Sequence, residues 1–376
     1  MADLVVFGED WGGLPSSTQH LISHLLPDHR VIWINSIGMR SPGINLRDLR
    51  RIINKAKTMF SASEAPNSDA QAVSPIVISP WVIPFHGLSM VRQINKKLLL
   101  KIIRRVCEEQ NFQDVILWTS LPTAVDVVGN LGEKTSIYYC GDDFEALDGV
   151  DHATVGPMEK ELADKVDLIL VVSETLAKKL PGPNTVLLPH GVDYELFTNP
   201  KPHPGDFPRE HPIAGFYGCL SEWLDVEMLS QAATALPGWK FVFVGAIKTD
   251  VGVLRELPNV HFLGPRPHAK LPAYVQNWDV AMLPFRHNKQ IEACNPLKLR
   301  EYLASGTAIA STDFPAVRIY QDHIAIQSHR EPFSRVIQRA YESRDEKPVR
   351  QQQVAGESWR HRAAQLEKLI NHLSCN

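Results

Sequence analysis

Long apolar runs are missing from this 376-residue chain. None approaches the ~20 residues that a bilayer-spanning helix needs, so no transmembrane segment is expected. Metal-type cysteine spacing is missing too. Cys107, Cys140, Cys219, Cys294 and Cys375 are scattered and odd in number. They indicate neither a zinc site nor a disulfide framework, and a reduced, cytoplasmic compartment fits them best. A net charge of −3 carries no global nucleic-acid signature, and no nucleic-acid partner is expected. The opening Met1-Ala2-Asp3-Leu4-Val5-Val6-Phe7 lacks a basic leader region and reads as a first strand rather than a signal peptide. Internal repeats and long low-complexity tracts are absent as well.

What remains is an ordinary globular composition, 44% hydrophobic and 22% charged, in a chain too long for one core. Short apolar runs alternate with helical patterns. Leu4–Gly8, Val31–Asn35, Val115–Thr119, Ser136–Cys140, Leu168–Ser173 and Val186–Pro189 form one series of strands. Ile213–Gly218, Phe241–Gly245, Val260–Leu263, Val280–Pro284 and Ala308–Ser311 form a second. Such alternation implies parallel sheets covered on both faces, hence an α/β fold of two doubly wound domains. The expected division is an N-terminal domain over 1–198, a proline-rich linker over 199–212 and a C-terminal domain over 213–356. The last helix, 357–373, is expected to cross back onto the first domain. Ligands of doubly wound sheets lie at the carboxyl ends of the strands, so the cleft between the two domains is the expected active site.

The segment Asn295-Pro296-Leu297-Lys298-Leu299-Arg300-Glu301-Tyr302-Leu303-Ala304-Ser305-Gly306 is the most informative. Pro296 suits the first turn of a helix, Asn295 its N-cap and Gly306 its stop. Free N–H groups in the first turn, with Lys298 beside them, suit a phosphate. Glu301, one turn on, is placed to accept hydrogen bonds from sugar hydroxyls. Upstream, Gly215-Phe216-Tyr217-Gly218-Cys219-Leu220-Ser221-Glu222-Trp223-Leu224-Asp225 runs from a strand into a glycine turn. There Gly218 permits close backbone approach and Ser221 offers a hydroxyl.

Together with Leu188-Pro189-His190-Gly191-Val192-Asp193 and Asn259-Val260-His261-Phe262-Leu263-Gly264-Pro265-Arg266, these segments resemble GT-B glycosyltransferases, near the teichuronic-acid and exopolysaccharide sugar transferases. The resemblance implies two Rossmann-like domains and a nucleoside diphosphate sugar, with UDP the expected nucleotide. It assigns the ribose to Glu301, the diphosphate and donor to Lys298 with Asn295, Pro296 and Leu297, the glycine turn to Gly218 and Ser221, and the base to the region of Arg266. Lys248 and Arg286 are further candidates to support the leaving group. Many retaining members carry a second glutamate ahead of this helix. The matching position here is Ala293, with Glu292 next to it, so Glu292 is the candidate.

In the N-terminal half, Gly8-Glu9-Asp10-Trp11-Gly12-Gly13 does not fit G-x-G-x-x-G, which leaves a dinucleotide oxidoreductase unsupported. Ser16, Ser17 and His20 are the acceptor or cleft-loop candidates. The strand Tyr138-Tyr139-Cys140 ends in Gly141-Asp142-Asp143. A carboxylate there can take a proton from an acceptor hydroxyl. This resembles the base of inverting bacterial glucuronosyltransferases of GT-B fold, with Asp142 the closer match and Asp143 the alternate. Asp142 favours inversion and the wider family retention. The nucleotide sugar is a co-substrate, so no cofactor is expected; nor is a metal, because Asp142 and Asp143 lack the spacer of a DxD site and the resemblance to GT-B enzymes implies no need for one.

Basic residues gather in two probable helices, Arg47, Arg50, Arg51, Lys55 and Lys57 in one, and Arg92, Lys96, Lys97, Lys101, Arg104 and Arg105 in the other. Both suit an anionic membrane surface and a lipid-linked saccharide acceptor at the inner face of the cell membrane. A nucleotide-sugar epimerase of the same fold and a non-catalytic sugar-binding homologue are the rival readings.

Overall fold

The computed structural model describes residues 2–13, 15–38, 74–208, 210 and 212–375. The basic segment 47–57 and most of the polar stretch 61–75 lie outside the described residues. The chain divides into two compact units. One comprises Met1–Leu170, Leu180–Val186 and Glu367–Asn376, the other Val171–Lys179 and Leu187–Leu366.

The first unit is built on a seven-stranded sheet in the order β3-β2-β1-β4-β5-β6-β7. Its strands are β1 (Asp3–Phe7), β2 (Arg30–Ile34), β3 (Ile76–Ile78), β4 (Ile116–Thr119), β5 (Thr135–Cys140), β6 (Leu168–Val171) and β7 (Thr185–Leu187). β1 lies parallel between β2 and β4, with Val5 opposite Ile32 on one side and Leu117 on the other. Every residue of β1, β4, β5 and β6 is buried, as continuous apolar runs covered on both faces require. The chain turns one way from β1 to β2 and the other way from β1 to β4. That reversal puts the loops after β1 and β4 at a switch point.

The second unit repeats the plan with six strands in the order β10-β9-β8-β11-β12-β13. They are β8 (Ile213–Tyr217), β9 (Lys240–Val244), β10 (Val260–Phe262), β11 (Val280–Leu283), β12 (Ala308–Ser311) and β13 (Ala325–Ile326). All five pairings are parallel, and the switch point lies between β8 and β11. The α/β reading of the sequence holds for both sheets. β3 and β13 are additions to it.

The proline-rich stretch does not stand apart from the second unit. Phe207 is buried against Tyr274, and Gln276 Nε2 donates to the carbonyls of Phe197 and Asn199 at 2.7 and 2.9 Å. The helix Trp359–Cys375 begins in the second unit and ends in the first. No described helix is long and apolar enough to cross a membrane.

Candidate functional site

In the second unit the site begins where β8 ends. Gly215 leaves room for the Trp278 ring, which would lie 2.0 Å from a Cβ there. At Gly218, with φ of +126°, a Cβ would fall 2.3 Å from Lys298 Cε. The lysine stem therefore crosses the bare glycine, and its ammonium lies 5.8 Å from the centroid of Phe216. The loop that follows is tied to the end of β9, Leu220 N–H donating to Ala246 and Lys248 N–H to Leu220 at 2.9 and 2.8 Å. Ser221 is buried within it. Lys248 and Arg286 are exposed, and Arg286 N–H donates to Trp223 at 2.8 Å. Both flank the same loop.

The phosphate-type helix spans Leu297–Ser305 and is stopped by Gly306 in the left-handed conformation, φ +76°. Its N-cap is Pro296 and not Asn295, and no side chain caps it. The Asn295 amide is used elsewhere. Its Nδ2 donates to Val172 O at 2.6 Å, and its Oδ1 accepts from Arg300 Nη1 at 2.5 Å. A charge-assisted bond from a guanidinium outcompetes a backbone cap for that oxygen. The first turn thus keeps N–H groups without a side-chain acceptor.

Glu301 is 8% exposed. Tyr217 OH donates to its Oε2, and His268 Nε2 lies 2.7 Å from its Oε1. Burial alone would lower the His268 pKa, but the hydrogen bond and charge of Glu301, helped by Asp193, raise it above the usual value. Burial first, then the neighbouring Glu301 and Tyr302, drive the Tyr217 phenol well up. Sequence reasoning does not single out Tyr217 or His268, although Tyr217 lies in the segment 215–225 and His268 two residues after Arg266.

Arg266, the candidate for the base region, is engaged within the protein. Its Nε donates to Tyr274 OH at 3.0 Å, its Nη1 to Pro265 O at 2.9 Å, and its Nη2 pairs with Asp206. Nη2 directly, and Nε through the Tyr274 hydroxyl that also donates to Asp206, brace the 206 segment. Glu292 is exposed on the short helix Lys289–Ala293, and its carbonyl accepts from Thr175 Oγ1 at 3.0 Å.

In the first unit, the loop after β1 is held by Gln19, whose Nε2 donates to Asp10 O and whose Oε1 accepts from Gly12 N–H at 3.3 and 3.4 Å. Ser16 caps the helix Ser17–Leu25 by accepting from Gln19 N–H at 3.2 Å. That bond gives Ser16 a structural task. Ser17 and His20 are half-exposed on the first turn. Thr18 and Ser120 share a 2.6 Å hydroxyl bond that joins this helix to the end of β4.

At the end of β5 the two acids differ. Asp143 Oδ1 accepts from Glu145 N–H at 3.1 Å, and its carbonyl accepts from Ala146 and Leu147, so Asp143 builds the turn. Asp142 is exposed to solvent, with protein packed beside it. That crowding, followed by the charges of Glu9 and Asp143, pushes its carboxyl up to about 7. A carboxylate near 7 has the basicity that a general base needs at neutral pH.

Residues 211–342 match the model of the glycosyl transferases group 1 family. The chain is 30% identical over 227 residues to TuaH of Bacillus subtilis (strain 168), named as a teichuronic acid biosynthesis glycosyltransferase. That match spans 55% of this chain and 57% of the relative, little more than half its length. Among solved structures, sucrose-phosphate synthase from Thermosynechococcus elongatus superposes with a TM-score of 0.72 at 14% identity, covering 100% of both chains. HepE of Anabaena, in complex with UDP and glucose, gives 0.68 at 13% identity, covering 99% of this chain and 100% of the other. The fold is GT-B, and over residues 211–342 the chain is similar to the group 1 glycosyl transferases.

Proposed function

We propose that this chain is a glycosyltransferase that moves a sugar from a UDP-linked donor to a saccharide hydroxyl in the synthesis of a bacterial surface polysaccharide. The observation that carries the reading is Glu301. It is a buried carboxylate one turn inside a helix whose first turn has no side-chain cap, with Lys298 laid over Gly218 next to it. In this reading the ribose hydroxyls donate to Glu301. The diphosphate takes the N–H groups of the first turn and the Lys298 ammonium, which stabilise the charge that grows as UDP leaves. The first unit takes the acceptor. Asp142 removes the proton from its hydroxyl as that oxygen attacks the anomeric carbon on the face opposite the departing UDP, a single displacement that inverts that carbon. The acceptor is assigned as a lipid-linked saccharide. The similarity to TuaH, a teichuronic acid biosynthesis glycosyltransferase, and to HepE in complex with UDP supports the donor and pathway class.

Calorimetry with UDP, GDP, ADP and CMP tests the reading. UDP should bind in preference to the others, and Glu301→Ala should weaken it by about 1.5–3 kcal/mol, the scale of a lost charged hydrogen bond. A protein that binds no nucleotide, or a variant that binds as well as the parent, would remove Glu301 from the site.

A further inference from the structure

Seven of the chain's exposed large apolar side chains fall within nineteen residues, from Ile76 to Ile94: Ile76, Val77, Trp81, Phe85, Leu88, Met90 and Ile94. Trp81 is 57% exposed, Leu88 59% and Met90 75%. They lie on the edge strand β3, the loop after it and the first turns of the helix Ser89–Glu109.

The loop is anchored. Asn95, buried on the helix, accepts from Ile83 N–H and donates to Ile83 O, both at 2.9 Å. His86 is buried with Nε2 3.1 Å from Ile37 O. Leu88 N–H closes a turn on Phe85 O at 3.1 Å. A fixed backbone therefore holds Trp81, Phe85 and Leu88 out in water. A soluble protein gathers apolar side chains at its surface in this way where something apolar covers them.

Charge indicates the occupant. On the helix, Met90, Ile94, Lys97 and Lys101 follow one stripe, at i, i+4, i+7 and i+11, and all four are exposed. The stripe is apolar next to the loop and basic beyond it. Lys97 and Lys101 have no anionic partner among the described residues. Arg92, expected on the same basic face, is not on it. It is half-buried in ion pairs with Asp126 at 2.7 and 2.9 Å and with Glu161 at 2.7 Å. An aromatic and aliphatic tip next to unpaired lysines suits a bilayer boundary, where apolar side chains enter the acyl region and ammonium groups meet phosphates.

We propose that Trp81, Phe85, Leu88, Met90 and Ile94, with Lys97 and Lys101, form a docking face for an anionic lipid bilayer. The proposal gives the lipid-linked part of the proposed function a physical seat, and it does not use the nucleotide site.

The test is co-sedimentation of the full chain with vesicles of phosphatidylglycerol and phosphatidylcholine in equal parts, against phosphatidylcholine alone. Binding should favour the anionic vesicles. Lys97→Gln with Lys101→Gln should weaken it by about 25-fold, at roughly fivefold per lysine. Trp81→Ser with Phe85→Ser should abolish it, with the thermal midpoint unchanged because both side chains are already exposed. Brominated acyl chains should quench tryptophan emission in the parent but not in Trp81→Phe. Glu301→Ala should dock like the parent while binding UDP more weakly, so that failure here is distinct from failure of the donor site. Equal binding to both vesicle types, no binding to either, or a dimer in sedimentation velocity that Trp81→Ser dissolves would overturn the proposal. The last would assign the face to a second copy of the chain.

Discussion

At Glu301 each carboxylate oxygen is already met, one by the Tyr217 phenol and one by the His268 imidazole. The two donors fix the rotamer of a desolvated carboxylate before any ligand arrives, which lowers the ordering cost of binding. Asp142 is the contrasting case, a carboxyl held near 7 by crowding and by neighbouring charge. As the proposed base it must be ionised, so the rate of transfer should fall as pH drops through about 7. Asp142→Asn should remove that limb together with most of the activity. Stability should move the other way. In the folded state Asp142 holds its proton to higher pH than in the unfolded chain, so the parent loses stability as pH rises from about 4 to about 7. The Asn variant should therefore gain on the parent over that window, and thermal melts at pH 4 and pH 8 would show it. An equal margin at both pH values would refute the shift. Little of this was legible beforehand. Asp142 and Asp143 are adjacent and chemically identical, so the residues themselves do not rank them; the family resemblance put Asp142 first, and the turn that engages Asp143 supplies a physical reason. Tyr217 and His268 lie 84 and 33 residues from Glu301, separations at which no periodicity reports contact.

At the level of elements, the buried parallel strands were legible because burial on both faces makes them continuous apolar runs. β3 was not, because it is a three-residue edge strand with Ile76 and Val77 exposed. β13 has two residues, too few for any period. The helix Leu297–Ser305 was legible in extent and in its Gly306 stop. Its cap was off by one residue because Val172, 123 positions away, and Arg300 claim the Asn295 amide. The turn after β8 carries a prediction of its own. Gly218→Ala adds a methyl at a φ favouring glycine and drives it into the Lys298 stem. We expect a loss of about 1–3 kcal/mol in stability and, with the ammonium displaced, UDP affinity reduced about tenfold or more. Lys298→Ala should reproduce the affinity loss without the stability loss, and calorimetry paired with thermal melts distinguishes the two.

At the scale of the whole molecule, one polar cluster gathers distant parts of the chain in the second unit. Glu357 accepts from Arg300 Nε at 2.6 Å, Tyr320 OH at 2.9 Å and Arg362 Nη2 at 3.1 Å, and Arg300 reaches on to Asn295. Both guanidinium groups are buried. Glu357→Ala would leave them uncompensated and should cost about 3 kcal/mol, read from the urea midpoint, with Glu357→Gln recovering part of it. An unchanged midpoint would mean that water replaces the carboxylate at no cost. The division of the chain has a further consequence, for synthesis. Residues 171–179 and 187–366 belong to the second unit, while 180–186 and 367–376 belong to the first. Domains usually fold as they leave the ribosome, the N-terminal one first. Here the seven strands of the first unit are complete by Leu187, but its last segment, the end of a helix, is made only after the second unit, so the nascent first unit must hold its sheet without that helical cover while the second is translated.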